Sequence, residues 1–299
     1  MMSQKRPRQR RFAFVKVDVF TSRPLEGNQL AVFPDARGLH KSEMQELARE
    51  MNLSETTFVL PRQRRVELKR GIKVRIFTVD EELPFAGHPT LGTAFVLRQR
   101  NQREVALDLR IGRIPVCFEE LDGQLFGEMQ QRDPVMGSFH DKRAMAPAAG
   151  LEFEDIDPKL PIQTVSTGVP FAIVPLRSLA AIHNLRASWK NMADYLKATD
   201  AQFLYFVTRE TVDPKARLHA RMIFYNGEDP ATGSAAGCAA AWMLAHGVTR
   251  PDERVLIEQG IEIKRPSRIF VRAGRGVNKI VNVRVGGNVV MLMRGEVFL

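Results

Sequence analysis

The residues with the clearest chemical potential lie in two loops that each run into an apolar segment. PFAGHPTLG carries Gly87 and His88, and GEDPATGSAAG carries Asp229, Gly233 and Ser234. In both loops a glycine stands where a helix should begin, so backbone N–H groups without intrahelical partners face the loop. These donors and the positive end of the helix dipole favour an anion. The two loops predict a site for one or two carboxylates. They do not predict a nucleotide P-loop, because neither contains G-x-x-x-x-G-K-[ST].

Three side chains in or near these loops could move a proton. Asp229 precedes Pro230, which favours an extended backbone, and its carboxylate could cap the helix or bond an imidazole. Glu55 lies in the turn NLSETTF. A turn glutamate usually faces solvent and a lone histidine such as His88 is usually structural. A desolvated glutamate would nevertheless have a raised pKa and could exchange a proton near neutral pH. If the fold gathers Glu55, His88 and Asp229, they could take a proton from one substrate carbon and return it to another.

The two loops belong to a longer internal similarity. RIFTVDEELPFAGHPTLGTAFVL starts at Arg75 and RMIFYNGEDPATGSAAGCAAAWM starts at Arg221, so equivalent positions are 146 residues apart. A second pair of segments, GNQLAVFP from Gly27 and GVPFAIVP from Gly168, has nearly the same separation. A period this long exceeds that of solenoid repeats. It predicts two similar domains whose equivalent loops face each other across a cleft, a common place for a ligand.

The coarse pattern of elements predicts an α+β protein. Each half reads as a barrel-like, mostly antiparallel sheet around one buried helix, and we expect the two halves to derive from an internal duplication. The expected domains are residues 12–131 plus 287–299 and residues 132–286, preceded by a basic tail at 1–11. Residues 65–68 read as a strand, and the pair Gly286-Gly287 between β-branched segments indicates a hairpin.

Composition limits the class of protein. The chain has 299 residues and a formal net charge of +10. Its basic residues are scattered rather than grouped with aromatic residues, so nucleic-acid binding is not favoured. No apolar run reaches the length of a membrane span. Only Cys117 and Cys238 occur, without CxxC spacing, so no metal site is expected and a reducing, cytoplasmic location is favoured.

Five segments taken together resemble the PhzF family, the phenazine-biosynthesis isomerases of the diaminopimelate-epimerase-like fold. In chain order they are FTSRPLEGNQLAVF, NLSETTFVL, PFAGHPTLGTA, VSTGVPFAIV and GEDPATGSAAGCAAAW. The resemblance runs from about Phe12 to the end of the chain. It implies a homodimer of two-domain subunits, with the active site between the domains, and an isomerase that needs no cofactor.

The resemblance also implies roles for individual residues. Glu55 matches the general acid/base, and His88 and Asp229 match groups that position the substrate and assist transfer. Four further positions match substrate-binding residues: Asn28, Gly87, Gly233 and Ser234. The implied substrate is a small carboxylate similar to trans-2,3-dihydro-3-hydroxyanthranilate.

The sequence departs from related patterns at identifiable positions. Racemases of the same fold place a cysteine before the glycine in each half, but Ala86 and Thr232 stand there, so a two-thiol racemase is not expected. Gln29 follows Asn28 where the family commonly has proline, and Val169 replaces the second-half asparagine. These changes leave open a non-catalytic protein that kept the fold and binds nucleic acid or another anion.

Overall fold

The protein is described here by a computed structural model, which covers residues 9–121, 123–225 and 227–299. It is a mixed α/β protein in which the described strands are linked into one sheet system. The strands are β1 Arg11–Val19, β2 Asn28–Phe33, β3 Glu55–Leu60, β4 Ile72–Phe77, β5 Glu82–Leu83, β6 Glu104–Leu109, β7 Gly112–Leu121, β8 Gln124–Gln130, β9 Val135–His140, β10 Ile162–Ser166, β11 Pro170–Leu176, β12 Phe203–Thr208, β13 Ala216–Phe224, β14 Gly227–Glu228, β15 Val255–Gln259, β16 Ser267–Arg275 and β17 Ile280–Phe298. The helices are α1 Lys41–Met51, α2 Arg64–Arg70, α3 Gly87–Leu97, α4 Lys142–Ala149, α5 Leu179–His183, α6 Trp189–Leu196 and α7 Gly233–Ala245, with a short 3-10 helix at Phe153–Asp155.

The first half forms a closed barrel around α3. Strand pairing runs β1–β2–β3–β4–β6–β7–β8–β17 and returns from β17 to β1. The α3 helix contacts strands on several sides of this barrel, and its residues from Gly87 to Ala94 are buried. A helix that is apolar on all sides must be enclosed, so GHPTLGTAFVL accounts for its central position. The predicted sheet around a buried helix is therefore present in this half.

The second half wraps a sheet around α7 with the same order of pairings. From β10 to β17 the ladder runs β10–β11–β12–β13–β15–β16–β17, with β11–β12 and β13–β15 parallel. The first half has its parallel pairs at the matching places, β2–β3 and β4–β6. Small residues such as Ala235 and Ala239 are fully buried on α7 and let the strands approach closely. The two halves therefore share one strand topology. That they arose by duplication of a single ancestral half stays a prediction.

The predicted hairpin at Gly286-Gly287 is wrong. β17 continues through both glycines, pairing with β16 before them, with β8 around them and with β1 after them. A Cβ on Gly286 would lie 2.6 Å from the carbonyl oxygen of Gly127, and one on Gly287 would lie 2.7 Å from the Phe20 ring. The glycines therefore permit close packing where one strand serves both halves. The expected domain boundary at 286/287 falls inside this shared strand and stays a prediction.

Two further expectations concern the first half. Residues 65–68 are not a strand, because they lie within α2, an exposed helix without buried residues. Residues 1–8 of the expected basic tail lie outside the described part of the chain, whereas Arg10 already exchanges backbone hydrogen bonds with Leu299. None of the described helices combines the length and apolar character that a bilayer crossing requires.

Candidate active site

The two glycine-led helix starts meet at the centre of the molecule. A Cβ on Gly87 would lie 3.1 Å from backbone atoms of Gly233 and Ser234, and one on Gly233 would lie 3.5 Å from the Cα of Gly87. The 3.1 Å distances are tighter than ordinary contacts, so the N-terminus of α3 can abut that of α7 because Gly87 has no side chain. A side chain on Gly233 would instead crowd the Phe20 ring, because its Cβ would lie 3.1 Å from Phe20 Cζ. The structure thus brings together the two N-termini that the sequence marked as anion-binding. Ser234, the second residue of α7, is half-buried beside this junction.

The carboxylate of Asp229 accepts hydrogen bonds from two side chains at this junction. Asn28 Nδ2 donates to its Oδ1 at 2.7 Å, and Thr232 Oγ1 donates to its Oδ2 at 2.7 Å. Asn28 Nδ2 also donates to the carbonyl oxygen of Ala231 at 2.9 Å. Because Asn28 begins β2 in the first half, this amide ties the second-half loop across the interface between the halves. Asn28, assigned to substrate binding from the resemblance, therefore holds Asp229 directly.

The sequence did not predict a hydrogen-bond network that supports the backbone of Asp229. Gln259 Nε2 donates to the backbone oxygen of Asp229 at 2.8 Å and to Thr232 Oγ1 at 3.0 Å. Gln259 Oε1 accepts from the Tyr205 hydroxyl at 3.0 Å. Gln259 and Tyr205 are fully buried, so these bonds form where water does not compete. Gln259 and Tyr205 lie on strands that are distant in sequence from the loop of Asp229. The one feature of the sequence that could have indicated their role is that each is a polar residue in a mostly apolar strand.

Glu55 and His88 lie together on the first-half side. Glu55 is the first residue of β3 and His88 is the second residue of α3. Glu55 Oε2 lies 3.3 Å from His88 Nε2, with side-chain exposures of 15% and 5%. Neither atom has a hydrogen-bond partner within the described residues, and the same holds for Asn28 Oδ1. Buried polar atoms are normally paired, so all three are suited to contact a ligand.

The environment sets the protonation of these groups. Burial raises the pKa of Glu55 well above its usual value, and the negative charge of Asp229 adds to this. Burial likewise raises the pKa of Asp229 to about 6, although hydrogen bonds from Thr232 and Asn28 offset part of the effect. Burial lowers the pKa of His88 to about 3, partly offset by a backbone hydrogen bond with Gln29. At neutral pH His88 is therefore a neutral imidazole beside a carboxyl group that can hold a proton.

This arrangement suits proton transfer rather than nucleophilic attack. A carboxyl group with a raised pKa can accept and return a proton near neutral pH, and the neighbouring Asp229 couples electrostatically to it. Cys238 lies one turn inside α7, and burial raises the pKa of its thiol to about 11. Because a reactive cysteine needs an accessible thiolate, this thiol is not suited to act as a base. The positions before Gly87 and Gly233, where two-thiol racemases place their cysteines, are Ala86 and Thr232, so the candidate proton-transfer groups of this site are carboxyl groups at other positions.

The two other acids of these loops have a structural role. Arg75 donates two hydrogen bonds to Glu82, and Arg221 donates two to Glu228. The closest contact in each pair is 2.7 Å. The pairs occupy equivalent positions in the two halves and hold the short strands β5 and β14 beside β4 and β13. Glu228 is therefore paired and turned away from the proton-transfer group, unlike its neighbour Asp229.

Open cavities of about 370 and 460 Å3 lie elsewhere on the molecule. Arginines and carboxylates alternate along their walls, and neither includes Glu55, His88 or Asp229. Many of these arginines are already paired, as Arg272 is with Glu128. The first cavity, with four arginines and three glutamates, is close to neutral. The second, with five basic and two acidic side chains, keeps a net positive charge.

Comparison with known proteins agrees with the fold. The profile of the family described as phenazine biosynthesis-like protein (PhzC-PhzF) matches residues 17–295. The trans-2,3-dihydro-3-hydroxyanthranilate isomerase of Pseudomonas aeruginosa is 35% identical over 96% of this chain and 99% of its own length. Two solved structures superpose closely. A PhzF-family phenazine biosynthesis protein of Bacillus anthracis has a TM-score of 0.86 at 27% identity, covering 97% of this chain and 100% of that one. A predicted epimerase of P. aeruginosa has a TM-score of 0.82 at 33% identity, covering 96% and 99%.

These similarities define the class of protein. The chain belongs to the PhzF family of phenazine biosynthesis-like proteins. Curated relatives that are 35–36% identical to it are named isomerases, and the chain is an isomerase of this family.

Proposed function

We propose that this isomerase moves a proton between two carbons of a small carboxylate substrate without a cofactor. Glu55 accepts the proton from a substrate C–H bond, the bonding electrons shift along the substrate, and Glu55 returns the proton at a second carbon. No oxidant or reductant is consumed, because the proton count and the electron count of the substrate are unchanged. The abutting N-termini of α3 and α7 hold the substrate carboxylate through free backbone N–H groups.

This proposal rests mainly on the position of one acidic side chain. A desolvated carboxyl group, Glu55, lies 3.3 Å from the neutral imidazole of His88 at the junction of two helix N-termini. An anion site beside a group with a raised pKa is the combination that proton transfer on a carboxylate requires. His88 and Asp229 position the substrate and keep the local charge balanced around Glu55, and Asn28 fixes Asp229.

The relatives suggest a substrate class. The P. aeruginosa relative is named for trans-2,3-dihydro-3-hydroxyanthranilate, a cyclic carboxylate, and we propose a substrate of this general kind. Gln29 and Val169 stand where the family commonly has proline and asparagine. Gln29 is the second residue of β2 and Val169 directly precedes β11, and these are the positions that we expect to alter substrate choice. We also propose that the chain works as a homodimer in the cytoplasm, which sedimentation and cell fractionation would test.

A non-catalytic protein that kept the fold is less well supported. Such a protein has no need to retain a buried acid beside a neutral histidine. Several arginines are held in partly buried ion pairs, for example Arg75 with Glu82 and Arg221 with Glu228, so these side chains are not free to contact phosphates. A nucleic-acid partner would require free cations grouped on one face.

The proposal is tested by turnover in deuterated water. Wild-type protein, Glu55→Gln and the exposed control Glu46→Gln are incubated with trans-2,3-dihydro-3-hydroxyanthranilate and with a panel of small cyclic and aliphatic carboxylates. Proton NMR then reports isomerisation and exchange. Loss of a general acid/base lowers turnover by about 100- to 10,000-fold, so Glu55→Gln should lose activity by this factor while binding the acid within a few-fold of wild type. Full activity in Glu55→Gln, with the control unchanged, would remove Glu55 from the mechanism.

A further inference from the structure

A second cluster of ligand-type side chains lies outside the active site, on the outer face of the second-half sheet. It consists of His183 at the end of α5, His219 on β13 and Glu262 in the turn between β15 and β16. The neighbours of His219 on the strand, Leu218 and Ala220, belong to the core around α7. Because side chains alternate along a strand, His219 points the opposite way, toward α5.

The three side chains converge on a small volume. Their nearest donor atoms all lie within 4.8 Å of one another. Glu262 Oε1 lies 2.8 Å from His219 Nε2 and 3.3 Å from His183 Nδ1. Ligand atoms around a tetrahedral zinc ion, at bond lengths near 2.0–2.1 Å, are separated by about 3.3 Å. The His183 ring, with 41% of its side chain exposed, has room to complete this spacing.

A buried carboxylate orients the central ligand. Glu258 Oε1 lies 2.9 Å from His219 Nδ1, and the same carboxylate accepts backbone N–H groups of Val212 and Asp213. The imidazole is therefore fixed with Nδ1 toward Glu258 and Nε2 toward Glu262. A carboxylate behind a histidine is the usual outer partner of a metal-ligating imidazole.

The remaining charges allow a cation here. Glu258 and Glu262 supply two negative charges. The nearby Arg221 guanidinium is neutralised by Glu228, and one of its nitrogens donates to the backbone oxygen of Ile182. Glu262 Oε2 is buried without a hydrogen-bond partner within the described residues, so one carboxylate oxygen is free for a further bond.

We propose that His183, His219 and Glu262 form a binding site for a divalent transition-metal ion of the zinc type. Two imidazoles and one carboxylate suit a borderline-soft cation better than Mg2+ or Ca2+, which prefer oxygen ligands. On binding, the proton that His219 Nε2 shares with Glu262 leaves to solvent, and the ion takes its place between the two groups. His183 supplies the third ligand, and solvent supplies the fourth from the exposed side.

The site is joined to the active site through one turn. Glu262 lies three residues after Gln259, which bonds the backbone of Asp229. A Cβ on Gly260 would lie 2.5 Å from the backbone oxygen of Pro230, the residue after Asp229. Arg265, at the other end of this turn, reaches Asp18 at 2.8 Å. A metal ion that clamps Glu262 to α5 and β13 would therefore stiffen the support of Asp229.

The test uses full-length, tag-free protein stripped with a chelator and titrated with Zn2+ by calorimetry, with Co2+ absorption as a second readout. We expect one ion per chain and a raised Tm with Zn2+. In His183→Asn the affinity should fall by more than the roughly 10- to 100-fold that loss of an outer-shell partner costs. Glu262→Gln should behave in the same way.

The matched control is His40→Asn, the same change at an exposed histidine that caps α1, and asparagine is also a favourable cap. It should bind Zn2+ as wild type does. His183 is partly exposed, so its variant should fold, and circular dichroism would verify this. Absence of Zn2+ binding by folded wild-type protein would overturn the proposal. Equal binding by His183→Asn and wild type would also overturn it.

Discussion

The two halves of the chain share the same strand order, but they differ in whether polar or apolar side chains occupy equivalent positions. The similar segments of the two halves make certain positions equivalent. Asn28 is equivalent to Val169, and Leu83 is equivalent to Asp229. In the parallel ladders, Leu30 lies beside Glu55 and its counterpart Phe171 lies beside Phe203, so Phe203 stands where Glu55 stands. Asn28, Glu55 and Asp229 thus each have an apolar counterpart, whereas His88 is matched by another polar residue, Ser234. Within the described residues, the two similar halves therefore contribute unequally to the one proton-transfer site that we propose.

The difference separates structural from functional residues. The ion pairs Arg75–Glu82 and Arg221–Glu228 occur in both halves and support the frame. Asn28, Glu55 and Asp229 occur at only one of the two equivalent places. Val169, Phe203 and Leu83 instead pack against the main hydrophobic core. A racemase that works on both faces of its substrate needs a base on each side, whereas the proposed function assigns a single proton carrier, Glu55, to this asymmetric site.

Among the comparisons between the halves, we expect the largest effect, a loss of kcat/KM, when Asn28 is replaced by valine, the residue at the equivalent position of the second half. Asn28→Val removes the amide that bonds Asp229, and a buried hydrogen bond to a charged group contributes about 1.5–3 kcal/mol. We expect kcat/KM to fall by about 10- to 100-fold, since each 1.4 kcal/mol is a factor of about ten. The reciprocal change Val169→Asn should leave the rate close to wild type on the same substrate. Equal losses in the two variants, measured by steady-state kinetics, would contradict a one-sided site.

The repeated ion pairs should behave alike. Glu82→Gln and Glu228→Gln each remove the charge from a bidentate pair that is at least four-fifths buried. We expect each to lower the free energy of unfolding by about 2 kcal/mol, the scale of a buried hydrogen bond to a charged group. Asp194→Asn, which breaks the exposed pair with Lys197, should have a much smaller effect, because solvent screens exposed ion pairs. Urea unfolding would measure all three. A large loss in only one of the two glutamine variants would show that the halves are not equivalent in this respect.

The smallest effect concerns the pH dependence of stability. The pKa of Asp229 is about 6 in the folded protein and about 3.9 for an unfolded aspartate. The folded state binds this proton more tightly, so the carboxyl group's contribution to stability is lost as pH rises between these values. Asp229→Asn should flatten the fall of Tm across this window by a few degrees. The apolar counterpart Leu83→Ala should keep the wild-type slope, whatever its Tm. An unchanged slope in Asp229→Asn would contradict the raised pKa.

Much of the frame could be predicted from local sequence. The apolar helices after Gly87 and Gly233 and the meeting of their N-termini follow from glycine placement and from the internal similarity. The hairpin predicted at Gly286-Gly287 was wrong because two adjacent glycines are compatible with two different structures. It can form a tight turn, or it can let strands and aromatic rings pack closely, and only the position of Gly127 and Phe20 decides between them.

Parts of the site could not be predicted because they depend on contacts between distant elements. Gln259 meets Asp229 only after β15 pairs in parallel with β13, and no local pattern specifies that neighbour. The cluster of His183, His219 and Glu262 is equally scattered along the chain and matches no metal-binding spacing. Glu55 could be identified only by resemblance, since a turn glutamate shows its burial only in the folded protein.

The most direct measurement follows the stereochemistry of deuterium uptake. The carboxylate found to turn over is isomerised in deuterated water, and the product is analysed by NMR and mass spectrometry. A single carrier, Glu55, predicts that deuterium enters the product carbon on one face only, and that Glu55→Gln shows no uptake at the same protein concentration. Deuterium on both faces, or uptake that persists in Glu55→Gln, would contradict a one-sided proton relay.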